Sequence, residues 1–128
     1  PDGWAIEDSV AFSRILNDHG VDLIDCSSGG NHPLQNLKPY PGYQVSFASQ
    51  VRAESQILTG AVGLITEPIQ AEQILLEESA DVIFLGREFL RKPYWPIQAQ
   101  NELDSETHWA TPYHRAAESV STSPPVRR

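Results

Sequence analysis

Ile57-Leu58-Thr59-Gly60-Ala61-Val62-Gly63 and, one helical stretch later, Asp81-Val82-Ile83-Phe84-Leu85-Gly86-Arg87 are two short apolar runs that end in glycine. Each reads as a strand, and a strand–helix–strand order implies parallel pairing through a crossover. Placed in succession, they have the form of the last two strands of a (β/α)8 barrel, whose carboxyl ends commonly build a phosphate pocket. Glycine lets the backbone approach an anion closely, and Arg87 adds a planar cation able to pair with phosphate oxygens. Amides after Gly63 and around Gly86 can converge on the same group. Either glycine alone reads equally well as a turn residue; their succession with Arg87 favours the phosphate.

Working outward, residues 66–80 supply the helix between these strands. Thr66 is the expected N-cap, Glu67 and Pro68 occupy the first turn, and Ile69, Ile74 and Leu75 are available to face a sheet. Upstream, residues 45–54 form a helix with Phe47, Ala48 and Val51 on one side. Val21-Asp22-Leu23-Ile24-Asp25-Cys26 is a third strand, ending in Ser27-Ser28-Gly29-Gly30. Residues 7–19 open the chain as a helix with Val10, Ala11, Ile15 and Leu16 at helical spacing, and Gly20 ends it. Residues 31–43, with three prolines and two tyrosines, form a long loop of the kind that usually carries function or disorder. Beyond Arg87 come a short turn over Glu88-Phe89-Leu90, then Pro93 and a helix from Tyr94-Trp95 to about Leu103. The expected fold is α/β: about three parallel strands with flanking helices, the C-terminal portion of a (β/α)8 barrel. Residues 1–103 belong to that portion. Residues 104–128 form an extension without periodicity, and residues 119–128 read as a mobile tail.

Composition narrows the function. A formal net charge of −8 argues against a nucleic-acid or acidic-membrane surface, so any anion must be bound locally. The single Cys26 excludes an internal disulfide framework and fits a reducing, cytoplasmic setting. No apolar run approaches the roughly 20 residues of a membrane span. No zinc-ligand spacing, Walker loop or nucleophile elbow is present, and no metal is assigned. Glu77-Glu78 reads as a solvated helix face. At 128 residues the chain is about half a standard barrel, holds no methionine and starts at Pro1. An excerpt of a longer polypeptide is expected, although initiator removal before proline would leave the same start.

Several longer words in the chain point to a family. Gly20-Val21-Asp22-Leu23-Ile24-Asp25-Cys26-Ser27-Ser28-Gly29, Pro41-Gly42-Tyr43-Gln44-Val45, Ala61-Val62-Gly63-Leu64-Ile65-Thr66 and Ala71-Glu72 are four of them. Asp81-Val82-Ile83-Phe84-Leu85-Gly86-Arg87-Glu88 and Pro93-Tyr94-Trp95-Pro96 complete the set. Together they resemble the old yellow enzyme family of flavin-dependent ene-reductases, in the branch resembling bacterial NADPH dehydrogenases. The resemblance covers most of residues 6–113. It implies a (β/α)8 barrel with non-covalent FMN at the carboxyl ends of the strands, the three strands here being the sixth, seventh and eighth. It implies that Gly63 and adjacent amides bind the FMN phosphate, while Gly86 and Arg87 contact the phosphate and the flavin side of the pocket. NADPH or NADH would deliver hydride to FMN, and an activated alkene such as an enone would receive it. The groups that polarise the substrate carbonyl and donate the proton precede Pro1 in this alignment, so the missing N-terminal half of the barrel is an expected partner and the segment alone should not catalyse efficiently.

Other candidates carry two readings each. Ser28, with Ser27 and Gly29, either shapes the wall near ribityl or substrate or simply caps a turn with its hydroxyl. Tyr43, with His32 and Tyr40, either borders the substrate opening or packs the loop. Arg115, in Thr111-Pro112-Tyr113-His114-Arg115, is similar to a C-terminal arginine that some members of the branch extend into a neighbouring subunit's active site, which implies a homo-oligomer; an exposed tail arginine is the plain alternative. Cys26 reads as a small buried residue rather than a nucleophile. Two other functions remain open at this point: an inactive flavin- or phosphate-binding remnant, and a different phosphate-binding barrel enzyme.

Overall fold

A computed structural model describes residues 3–30 and 32–117. The chain runs α1 (Ile6–Asp18), β1 (Leu23–Cys26), α2 (Val45–Ser55), β2 (Leu58–Ala61), α3 (Pro68–Leu76), β3 (Val82–Ile83), α4 (Arg87–Arg91) and α5 (Trp95–Glu102). A 3-10 turn at Thr111–Tyr113 and α6 (His114–Ala117) follow. The strands form one parallel sheet in the order β1-β2-β3, with Leu23 opposite Leu58, Cys26 opposite Ala61, and Ala61 also opposite Ile83. Helices join parallel neighbours, so the expected α/β order with three parallel strands and flanking helices is observed.

The central strand takes its position from its small residues. Thr59, Gly60 and Ala61 are all buried, and a Cβ on Gly60 would lie 2.0 Å from the ring of Phe84, so only glycine lets that ring cross the strand. At the amino end of the sheet, Asp81 joins three elements: its carboxylate accepts from the Thr59 amide at 2.8 Å and from Arg52 Nε of α2 at 3.0 Å, and its own amide donates to the Thr59 carbonyl at 2.8 Å. Asp81 lies before the ladder, which is shorter than the expected five-residue strand. After Phe84 donates to the Ala61 carbonyl at 2.8 Å, the chain turns away through Leu85 and Gly86.

Helix α2 lays Ala48, Val51 and Ser55 into the core and ends at Gln56, which adopts a left-handed φ of 59°. Helix α1 begins where the Ala5 amide donates to the Asp8 carboxylate at 2.8 Å, and Gly20 follows it at φ +84°. Of the expected stripe, Val10 is buried, joined by Ser13, but Ala11 and Ile15 are exposed and Leu16 is half-buried. The reason is that, among the described residues, α1 packs chiefly on one helix, α2, and Arg14 donates twice to the Glu54 carbonyl at the end of that helix, at 3.1 and 2.9 Å.

Helix α3 also departs from expectation. Its cap is Glu67, not Thr66. The Thr66 hydroxyl donates to the Glu67 carboxylate at 3.1 Å instead of accepting from the helix, and its carbonyl accepts from Trp95 Nε1 at 2.8 Å, which fixes the backbone ahead of the helix. Ile74 and Ala71 face inward, whereas Ile69 is exposed and Leu75 is only partly covered. The predicted tail, residues 119–128, lies outside the described residues.

Candidate functional site

The carboxyl ends of β2 and β3 and the loop before α2 enclose a pocket of about 470 Å³. Gly63, Gly86, Arg87 and Tyr43 all line it, so four of the residues singled out from the sequence lie around one cavity. Ser28 instead lines a second cavity of about 450 Å³, between α1, α2 and the outer edge of β1. Arg115 is exposed on α6 and lines neither.

The two glycines singled out at the pocket have different physical reasons. Gly63 has a φ of +118°, and a Cβ there would sit 2.9 Å from Tyr43 Cε1 and 3.0 Å from Gln44 Nε2. Its carbonyl accepts from the Gly42 amide at 2.9 Å, joining the long loop to the end of β2. The chain itself therefore requires glycine. Gly86 has a φ of −86°, and a Cβ there would meet nothing within 4 Å. No neighbouring atom of the described chain excludes a side chain at that position, and Gly86 lines the pocket.

Several polar groups around the pocket are donors without a protein partner. Among the described residues, the amides of Gly63, Leu64, Gly86 and Arg87 donate to no protein acceptor, and the guanidinium of exposed Arg87 makes no ion pair. Leu64 follows Gly63 with φ +51°, so two consecutive left-handed residues bend the chain sharply at the strand end. Unpaired amides in such a turn beside a free cation suit an anion with several acceptor oxygens.

Two residues that sequence reasoning passed over organise the wall. Gln44 is buried; its carbonyl oxygen accepts from the Ser28 amide and from the Ser28 hydroxyl at 3.1 Å, while its Nε2 donates to the Val62 carbonyl at 3.3 Å. One amide side chain thus bridges the ends of β1 and β2, and it engages Ser28 from both donors. Glu88, expected in a simple turn, is a buried carboxylate in α4 that accepts from Arg91 Nη2 at 2.6 Å and from Lys92 Nζ at 3.0 Å. The Arg91 hydrogen bond, with that of Lys92, holds the Glu88 carboxyl below its ordinary value. The i, i+3 and i, i+4 cations were visible in the sequence as a pairing signal; the burial was not.

Of the remaining candidates, Tyr40 meets Tyr43 edge-on with ring centroids 6.2 Å apart, and Tyr40 itself is exposed. The exposed His32 ring accepts from the Leu34 amide at 3.2 Å, a local turn contact. Cys26 is buried, and burial, with the charge of Asp25, pushes its thiol up to about 11. No group of three or more His, Cys, Asp or Glu side chains is arranged for a metal among the described residues. No helix among them is long and apolar enough to cross a membrane.

A parallel α/β segment with an arginine- and amide-lined pocket at its strand ends defines a class, and comparison with known proteins identifies the family. The model of the NADH:flavin oxidoreductase / NADH oxidase family matches residues 3–106, and the chain belongs to that family. The resemblance to old yellow enzymes read from the sequence words is borne out. Among similar proteins is an NADPH dehydrogenase of Bacillus cytotoxicus, 48% identical over 123 residues. The match takes in 96% of this chain and 35% of that protein, so the chain spans about a third of its relative's length.

Proposed function

We propose that this chain is the FMN-phosphate-holding part of an NAD(P)H-dependent flavin oxidoreductase that reduces activated alkenes such as enones. The observation that carries the reading is the convergence of Gly63, Gly86 and Arg87 on one pocket, with amides and a guanidinium that have no partner among the described residues. These residues fit a phosphate ester. The space beside Gly86 is unfilled by the chain, and the donors facing it include a cation and backbone N–H groups.

In this reading β1, β2 and β3 are the sixth, seventh and eighth strands of a (β/α)8 barrel. Residues 1–103 form its C-terminal part and residues 104–128 an extension. The rest of the barrel is supplied by a longer polypeptide. Exposed Leu58, Val82 and Phe84 on the sheet, and Phe12 and Ile15 on α1, support such a partner, since each leaves apolar surface in water. FMN, when bound, would supply the hydride chemistry between NADPH or NADH and the β-carbon of the alkene.

The residues of this chain have narrower tasks. Gly63, Leu64 and Gly86 present backbone N–H groups to the phosphate, and Arg87 opposes its charge. Tyr43, packed beneath Gly63, sets the position of that turn, and Gln44 keeps the ends of β1 and β2 in register. Ser28, held by Gln44, lines the neighbouring cavity and takes no part in proton transfer. Arg115 serves a neighbouring subunit's active site in a homo-oligomer, as a fixed cation near substrate or flavin. Proton donation and carbonyl polarisation fall to residues outside this chain.

The test is made on the full-length polypeptide, purified and scanned for flavin absorbance. The reading expects a bound flavin that bleaches with NADPH and recovers when an enone is added. Flavin without turnover would reduce the function to a binding module, and phosphate-ester binding without flavin would point to a different barrel enzyme. Arg87→Ala should weaken FMN retention by about 1.5–3 kcal/mol, the usual worth of a charge-assisted hydrogen bond. Unchanged affinity in a folded variant would remove Arg87 from the site.

A further inference from the structure

Sequence words direct attention to Arg87, but helix α4 carries a second arginine to the same place. Arg87 and Arg91 are four residues apart on that single turn of helix, which puts them on one face, and both line the pocket. Between them in sequence is Glu88, a carboxylate beside a pocket whose other polar groups call for an anion. Left bare, it would repel a phosphate. It is not bare: Oε2 accepts from Arg91 Nη2 at 2.6 Å and Oε1 from Lys92 Nζ at 3.0 Å.

The exposures of this pair differ in an informative way. The Glu88 side chain is 7% exposed, while that of Arg91 is 60% exposed. A buried anchor therefore grips one edge of a guanidinium whose other N–H groups remain available. Holding a long side chain in advance reduces the rotamer entropy lost when a ligand binds.

We propose that Arg91 is a second cation for the phosphate, and that Glu88 is the positioning residue that holds it at the pocket wall. The proposal rests on reading the pocket as a phosphate site. With Glu88 ionised, α4 still presents net positive charge from Arg87, Arg91 and Lys92, so the carboxylate orients the cations without cancelling them. Hydrogen bonds from Arg91 and then Lys92 favour the ionised form, which keeps the anchor charged at neutral pH.

The experiment titrates FMN and riboflavin into flavin-stripped full-length polypeptide, read by flavin fluorescence, for the parent, Arg87→Ala, Arg91→Gln and Glu88→Gln. Circular dichroism is used to verify that each variant is folded. Arg91→Gln is expected to weaken FMN about tenfold while leaving riboflavin unchanged, and to flatten the loss of FMN affinity with salt. Glu88→Gln is expected to weaken FMN in the same direction by a smaller factor. If Arg91→Gln keeps the parent's preference for FMN over riboflavin while Arg87→Ala loses it, Arg91 is not a phosphate ligand and the phosphate reading stands. FMN binding that is unchanged or tighter in Glu88→Gln overturns the positioning role. A parent protein that binds riboflavin as tightly as FMN overturns the phosphate reading itself, and this proposal with it.

Discussion

Replacing Gly63 and Gly86 by alanine, one at a time, should produce opposite phenotypes, although both residues line the same pocket. At Gly63 the new methyl group meets two problems. A φ of +118° is foreign to L side chains, and holding one there costs roughly 1–3 kcal/mol. The Cβ would also lie 2.9 Å from Tyr43 Cε1 and 3.0 Å from Gln44 Nε2, an overpacking that typically costs about 1–3 kcal/mol. Relief requires moving Tyr43 or Gln44, and Gln44 is bonded to Ser28 and to the Val62 carbonyl, so the ends of β1 and β2 would shift together. Gly63→Ala should therefore destabilise the protein by about 2–6 kcal/mol, the sum of these two ranges. At Gly86 a Cβ meets nothing, so Gly86→Ala carries no overpacking cost and should destabilise clearly less than Gly63→Ala. The open space is where a ligand would lie, and FMN affinity should fall while riboflavin affinity changes less. Urea midpoints and flavin titrations on the full-length polypeptide read both effects. Equal destabilisation by the two substitutions, or Gly86→Ala with unaltered FMN binding, would refute the division into a chain-required and a ligand-facing glycine.

Other consequences are independent of the cofactor. The Thr59 hydroxyl is fully buried and has no hydrogen-bond partner among the described residues, so Thr59→Val should raise stability by about 1 kcal/mol; a fall in the thermal midpoint would mean the hydroxyl has a partner. Asp81→Asn keeps the shape but removes the charge that Arg52 meets at 3.0 Å, and leaves an amide NH2 to compete for the Thr59 amide's acceptor position; a loss of about 1–3 kcal/mol in urea unfolding is expected, and an unchanged midpoint would dismiss the Arg52-Asp81-Thr59 link as decoration. Cys26 should resist iodoacetamide at pH 8, because its thiol, raised from 9.0 to about 11, is protonated there. Its folded value lies above its unfolded one, so the stability it contributes is complete below about pH 9 and lost as pH rises toward 11; Cys26→Ala should remove that part of the alkaline decline, and rapid alkylation of the native protein would contradict the burial.

What the sequence made legible follows from how far along the chain each cause extends. The three strands and the order of helices were readable because a largely buried parallel strand is a short contiguous run closed by glycine, as at Ile57 to Gly63. The pocket was readable for the same reason: parallel strands put all their carboxyl ends on one side, so Gly63 and Gly86 had to come near each other once both strands were assigned. Helix faces were less legible. Spacing marked Val10 and Ile15 on α1 and Ile69 on α3 as inward, yet the face a helix buries is chosen by its neighbour, and on α1 the buried residues are Val10 and Ser13 while Ile15 stays exposed. The cap of α3 was misplaced because Thr66 has the right chemistry, but its carbonyl is engaged by Trp95, a residue 29 positions away. Gln44 and Glu88 were hidden more deeply, since a polar residue in a loop or in a charged Arg-Glu-Phe-Leu-Arg-Lys run signals solvent, and only the fold shows it buried with its partners. The glycines of the site were thus legible as a pattern, whereas the side chains that hold the pocket in shape act across elements. It is for these, Gln44 and Glu88 above all, that the structure adds a physical role the chain's local pattern could not carry.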